Sequence, residues 1–127
     1  MPILTNCTVQ FHTNDDDKDN DTHVTVTVRD SNNIIAARVD NDFGHFDNNS
    51  DNGPFGVFVI NQSEKESLQT GSVTVRIDPN GHDTWKFNFF TKLMFDDGSS
   101  FSCGADGLNE NQDRREQTFG IAGIIRR

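Results

Sequence analysis

The chain has 127 residues, with 20 Asp and Glu against 11 Lys and Arg, which gives a formal net charge of −9. This length is typical of one domain, so we predict a single domain over residues 1–127. An acidic surface repels nucleic acid, whose binding requires a basic stripe, and no nucleic-acid partner is expected.

Alternation of apolar and polar residues with a period of two predicts short β-strands along the whole chain. The predicted strands cover residues 8–12, 22–29, 34–39, 55–60, 72–77, 85–95, 99–103 and 117–125. A connecting helical turn is expected within residues 62–70, and Asp97-Gly98 predicts a hairpin. Residues 104–116 are polar and are expected to be irregular. The pattern therefore predicts an all-β, antiparallel, eight-stranded β-sandwich.

The inward positions of these strands define the expected core. It consists of Val24, Val26, Val75, Ile77, Trp85, Phe87 and Phe89. Trp85 alternates with Phe87 and Phe89, which favours burial over a second possibility, an exposed platform for a sugar.

Two cysteines, Cys7 and Cys103, are too far apart in sequence to form a metal knuckle. They are either two free thiols or a disulfide that joins the edges of the sandwich. A disulfide would indicate an oxidising compartment. No apolar run approaches the ~18 residues that cross a bilayer, so no transmembrane segment is expected. The first residues lack the features of a secretory signal. The compartment and the oligomeric state stay open.

Three acidic segments carry the functional hypothesis. Residues 14–21 hold five carboxylates in eight residues, and residues 40–51 and 78–83 repeat this chemistry after other strands. Carboxylates at this density repel one another unless a cation lies among them, although a single run of this kind also suits a solvated loop. Calcium accepts six to eight oxygen ligands in loose geometry. We predict acidic loops at one end of the sandwich that bind one to three Ca2+ ions. The candidate ligands are Asp15, Asp17, Asp19, Asp21, Asp40, Asp42, Asp47, Asp78 and Asp83.

Other chemistries fit the sequence less well. A loop that starts at Asp15 or at Asp47 lacks the Gly and Glu positions of an EF-hand. The four histidines lack the short paired spacing of a zinc site. No Gly-x-Ser-x-Gly nucleophile elbow is present, and the Asp residues suit metal ligation better than glycoside hydrolysis. We therefore do not expect an enzyme.

Phe43 and Phe46 lie in a polar loop, where no alternation predicts their burial. Aromatic side chains exposed beside metal sites are candidates for contact with a lipid surface or another ligand. We expect these two residues to form a surface contact.

The segment from Gly71 to Asp78, followed by residues 79–87, resembles the central motif of PLAT (lipoxygenase-homology) domains. In that motif a Gly opens a strand, an acidic loop follows, and a Trp begins the next strand. Residues 21–26 resemble the start of the second strand of that family, and the resemblance covers roughly residues 8–103. It implies a C2-like, eight-stranded sandwich that binds calcium through the three acidic loops.

Three functional classes follow from these expectations. The first is a module that attaches, in a calcium-dependent manner, to a membrane surface or a partner protein. The alternative is a calcium-dependent carbohydrate-binding module or lectin, which would bind a glycan. The third is a structural domain whose ions only make the acidic loops rigid.

Overall fold

The computed structural model describes residues 2–14, 18, 22–43, 45–79 and 84–126, with residues 125 and 126 described as backbone only. Within these ranges the chain forms ten β-strands and two short helices. The strands are β1 (Leu4–Thr13), β2 (His23–Arg29), β3 (Ile35–Asn41), β4 (Asp51–Gly56), β5 (Phe58–Val59), β6 (Ser72–Asp78), β7 (Thr84–Phe95), β8 (Ser100–Asn111), β9 (Glu116–Gly120) and β10 (Ile125–Arg126). The helices are α1 (Lys65–Gln69) and α2 (Ile121–Ile124). No helix in the described part of the chain is long and apolar enough to cross a membrane.

The strands form two antiparallel sheets of five strands each. Sheet I has the order β10-β8-β7-β1-β4, and sheet II has the order β5-β3-β2-β6-β9. The predicted all-β, antiparallel architecture is therefore confirmed. The structure has ten strands rather than about eight, because β5 and β10 are additional pairings of two residues each.

The core lies between the two sheets and follows the alternation in the sequence. In β7 every odd-numbered residue from Trp85 to Phe95 is buried, without a break in the pattern. All seven predicted core side chains are buried. The indole N–H of Trp85 donates to Thr13 Oγ1 at 3.0 Å, so this polar atom has a partner inside the core. Burial of each large apolar side chain contributes about 1.5–3 kcal/mol to folding.

The expected strand over residues 55–60 is two strands in two different sheets. β4 begins at Asp51 and pairs with β1 in sheet I, whereas β5 pairs with β3 in sheet II. The chain crosses between the sheets at Val57, whose side chain is buried. Because residues 57–60 form a continuous apolar run, the sequence pattern does not reveal the crossing.

The segment expected to be irregular, residues 104–116, is mostly strand. β8 continues to Asn111 through a bulge, because Asp106 and Gly107 of β8 lie opposite the single residue Asn88 of β7. Gly107 has a φ of 70° in this bulge, a conformation that favours glycine. Its N–H donates to Asn88 Oδ1 at 2.8 Å. The expected last strand is instead β9, the helix α2 and β10.

The two cysteines are buried and do not form a disulfide, and the topology explains why. Cys7 pairs with Leu93 of β7, and Cys103 pairs with Thr91 on the other side of β7. With one strand between them, their Cα atoms are about 10 Å apart, beyond the ~4.4–6.8 Å that a disulfide requires. Burial raises the pKa of the Cys7 thiol to about 12. The disulfide alternative is therefore wrong, and Cys7 is a protonated core residue.

Four connections between the sheets start and finish at the same end of the sandwich, which we call the loop end. The antiparallel pairing places the end of β1, the start of β2, the end of β3 and the start of β4 there. It also places the end of β6, the start of β7, the end of β8 and the start of β9 there. The strand ends that flank all three acidic segments therefore lie together.

Candidate functional site

The predicted calcium ligands fall into two groups. Asp40, Asp42, Asp47 and Asp78 are described at the loop end, whereas Asp15, Asp17, Asp19, Asp21 and Asp83 lie outside the described residues. Among the described residues, no group of three or more His, Cys, Asp or Glu side chains has a geometry that could hold a metal ion. The described carboxylates instead have basic partners within the protein.

His23, at the start of β2, contacts two of these carboxylates from the neighbouring strand. Its Nδ1 lies 2.7 Å from Asp42 Oδ1, and its Nε2 contacts Asp40 Oδ1. Arg38 donates to the second oxygen of Asp40 at 2.9 Å. The two carboxylates lie at opposite nitrogens of the imidazole ring. They and the ring therefore do not point at one common position where an ion could bind.

Asp78, at the end of β6, lies between two guanidinium groups. Its Oδ1 accepts hydrogen bonds from Arg76 at 3.0 Å and from Arg115 at 3.4 Å, and Arg76 also contacts Glu116. The hydrogen bonds from Arg76 hold the pKa of Asp78 below its usual value. Two positive groups beside one carboxylate oppose the binding of another cation there. Asp78 is the least suited of the four described candidates.

Asp47 is exposed and has a weaker set of partners. Its carboxylate lies 3.0 Å from His45 Nε2. Its backbone carbonyl accepts a hydrogen bond of 2.6 Å from Ser50 Oγ. A carboxylate in this setting has oxygen lone pairs facing solvent, so Asp47 is the described candidate most accessible to an ion.

The acidic run contains one basic residue, Lys18, and its side chain is completely buried. Its Nζ donates to the carbonyls of Thr22 at 3.0 Å and Asp42 at 2.7 Å, and lies 5.0 Å from the centre of the Phe46 ring. The backbones of Lys18 and Phe46 also exchange two hydrogen bonds. Lys18 therefore ties the first acidic segment to the second. In the sequence, the signal for this role was that Lys18 is the only basic residue within residues 14–21.

We expect Lys18→Met to lower the free energy of unfolding by about 2 kcal/mol, because two carbonyl acceptors lose their donor. Urea unfolding measured by fluorescence of Trp85 would report this loss. Lys92→Met is the matched control, since Lys92 is an exposed lysine on β7. Equal unfolding midpoints for the two variants would contradict the anchoring role of Lys18.

Phe43 and Phe46 belong to an aromatic cluster rather than to an exposed surface. Phe46 is 1% exposed, and its ring centre lies 5.6 Å from that of Trp85. Phe43 is half-buried, with its ring centre 4.4 Å from that of Phe55. The expected exposure is therefore wrong for Phe46, and Phe43 is partly covered. The loop folds back over the end of the core, where these rings bury apolar area.

Glu110 is a buried carboxylate that sequence reasoning missed. It lies in β8 opposite Trp85 and is completely buried, and among the described residues neither carboxylate oxygen has a hydrogen-bond partner. Burial raises the pKa of Glu110 to about 9, and the negative charge of Glu116 adds to the effect. The group is therefore protonated at neutral pH. Had residues 104–116 been assigned to a strand, the alternation from Leu108 would have placed Glu110 inward.

No family model matches this chain, and no curated protein matches it at a significant level. The case for function therefore rests on the loop end itself. There, partly neutralised carboxylates, a buried lysine and a cluster of aromatic rings lie within a few residues of one another.

Proposed function

We propose that this protein is a C2-like, calcium-binding β-sandwich module whose loop end attaches, in a calcium-dependent manner, to a membrane surface or a partner protein. The observation that carries the proposal is the position of the strand ends, since those flanking all three acidic segments lie at one end. The hydrogen bonds between Lys18 and Phe46 join two of these segments. The resemblance to PLAT domains supports the same interpretation.

The ligands proposed for calcium come from the three acidic segments. Residues 14–21 supply Asp15, Asp17, Asp19 and Asp21, residues 40–51 supply Asp40, Asp42 and Asp47, and the third segment supplies Asp83. Calcium requires six to eight oxygens at about 2.3–2.6 Å. The contacts of His23 with Asp40 and Asp42 would have to open for these oxygens to turn to an ion. Calcium would therefore compete with His23 for the carboxylates of Asp40 and Asp42.

Thermal unfolding with and without calcium tests the proposal directly. An ion that binds only the folded state should stabilise it by about 2.7–4.1 kcal/mol at 100–1,000 times its dissociation constant. We expect the melting temperature to rise in millimolar calcium and to return after addition of a chelator. An unchanged melting temperature would refute calcium binding.

Variants at the loop end separate ion binding from general charge effects. Asp42→Asn should weaken calcium binding, because it removes a ligand, whereas His23→Gln should strengthen it by removing the competing base. Glu66→Gln in α1 is the control, since it also removes one negative charge, but at the end of the sandwich opposite the loop end. Isothermal titration of the metal alone gives the three affinities. If all three variants bind as the wild type does, the ion does not bind near His23.

Two binding assays distinguish between the possible classes of partner. Flotation with vesicles of phosphatidylserine and phosphatidylcholine, with and without calcium, tests attachment to a membrane. A glycan array under the same conditions tests the alternative, a calcium-dependent lectin. Calcium binding without any calcium-dependent partner would leave the third class, in which the ions only stabilise the loops. With Phe46 buried, the side chains proposed for surface contact are Phe43 and its exposed polar neighbours.

A further inference from the structure

The outer face of sheet I contains a shallow groove that includes none of the predicted calcium ligands. Its volume is about 270 Å³, and its floor is formed by β1 and β7. The side chains that matter for its chemistry are Gln10, His12, Asp51, Asn88, Phe90 and Asp106. This volume is close to the lower end of the ~300–1,000 Å³ of ligand pockets, which suits one or two small rings.

Phe90 places an exposed aromatic ring in the middle of this sheet face. It occupies an even-numbered, outward position of β7 and is 40% exposed. Its neighbours across the strands are Gln10 on β1 and Gly104 on β8. Gly104 has no side chain, so the residue directly opposite Phe90 on β8 does not cover the ring. The ring is therefore available for contact with a flat, partly apolar ligand.

Polar side chains surround the ring, and two of them are held in place. Asn88 Oδ1 accepts hydrogen bonds from the N–H of Gly107 at 2.8 Å and from Asn14 Nδ2 at 3.1 Å. Its Nδ2 donors are the groups that remain for a ligand. His12 Nδ1 lies 2.8 Å from Asp51 Oδ1, so the imidazole ring is oriented by a carboxylate. Side chains fixed before binding lose less entropy when a ligand arrives.

We infer that this groove binds a neutral sugar unit of a glycan without calcium, with the sugar ring stacked on Phe90 and its hydroxyls bonded by Gln10, His12 and Asn88. A sugar ring has an apolar C–H face and hydroxyls that both donate and accept hydrogen bonds. A ring beside carboxamide and imidazole groups complements both properties.

Other ligand chemistries fit the groove less well. Asp51 and Asp106 place negative charge at its rim, which disfavours phosphate groups and anionic sugars. A peptide strand could not extend the sheet here, because β1 and β7 each pair with a strand on both sides. The inferred site lies on a sheet face rather than in the loops, and it is independent of the proposed calcium function.

Titration with neutral hexasaccharides tests the inference in the presence of a chelator. We would use cellohexaose, mannohexaose, xylohexaose and laminarihexaose, and follow backbone amide resonances of β1 and β7. Phe90→Ala should weaken binding of the preferred hexasaccharide about tenfold, equivalent to about 1.4 kcal/mol. Gln10→Ala should weaken it as well. Phe58→Ala is the matched control, since Phe58 is a 72% exposed aromatic residue in sheet II.

Three outcomes would overturn the inference. The first is that none of the four hexasaccharides binds at millimolar concentration. The second is that Phe90→Ala and Phe58→Ala bind equally well while both remain folded. The third is sugar binding that requires calcium and is lost in Asp42→Asn, which would move the glycan site to the loop end. Calcium affinity is measured separately, so failure of the groove leaves the proposed function intact, and the reverse also holds.

Discussion

Replacement of Gly71 by Ala is expected to destabilise the domain by about 4 kcal/mol or more, a loss that few single substitutions reach. A Cβ atom at this position would lie 2.1 Å from the carbonyl oxygen of Arg29 and 3.0 Å from the Cα of Asp30. Both are backbone atoms, and Arg29 pairs with Ser72 at the start of β6. Relief of the clash would separate β2 from β6 at the centre of sheet II.

Gly56→Ala and Gly120→Ala are the matched controls, because a Cβ atom at either position meets nothing within 4 Å. Neither glycine has a positive φ, so each control should change stability by less than about 1 kcal/mol. Denaturant unfolding of the three variants, with circular dichroism as the probe, measures the difference. A Gly71→Ala variant as stable as the controls would show that β2 and β6 approach less closely than described.

The second large effect is expected at Glu110, where replacement by Gln should stabilise the protein at neutral and alkaline pH. The folded-state pKa of about 9 lies above the usual value of 4.5, so the folded protein holds a proton that the unfolded chain releases. The contribution of Glu110 to stability is therefore complete below pH 4.5 and is lost as the pH rises towards 9. The slope is about 1.4 kcal/mol per pH unit, or about 3 kcal/mol between about pH 4.5 and 7.

A glutamine side chain does not ionise, so Glu110→Gln should remove this slope. Unfolding free energies of both proteins, measured at several pH values from about 4 to about 9, should diverge steadily, with the variant more stable at the alkaline end. Glu116→Gln is a useful comparison, because Glu116 is exposed and contributes only the smaller electrostatic part of the shift. Parallel pH profiles for wild type and Glu110→Gln would refute a protonated, buried Glu110.

Sequence alternation was sufficient to predict the architecture because most strands bury one face only. In the strand from Thr84 to Phe95 the burial alternates at every position. The sequence departs from this alternation at Phe90, which is apolar and exposed, and at Thr91, which is polar and buried. The same signal failed where the chain changes sheet. Residues 57–60 are all apolar, so the sequence does not mark the change of partner strand at Val57, and partner choice depends on residues distant in sequence.

The residue types of the candidate site could be predicted from the sequence, but the contacts between its side chains could not. The sequence shows acidic segments after strands, and antiparallel pairing then places the flanking strand ends together. It does not show that Arg115 reaches Asp78, because these residues meet only through the pairing of β6 with β9. It also did not predict the burial of Phe46, since a loop has no periodicity from which burial is inferred.

The pairing of β1 with β7 has a consequence for the order in which the chain can fold during synthesis. Leu4 pairs with Phe95, so the central pair of sheet I cannot form until more than two thirds of the chain has been made. Sheet II can start earlier, because β2 and β3 are neighbours in sequence as well as in the sheet. Until β7 has been synthesised, β1, whose apolar face includes Val9 and Phe11, lacks this partner strand. Such long-range pairing slows folding to the millisecond-to-second range and lengthens the time in which nascent chains can associate through that face.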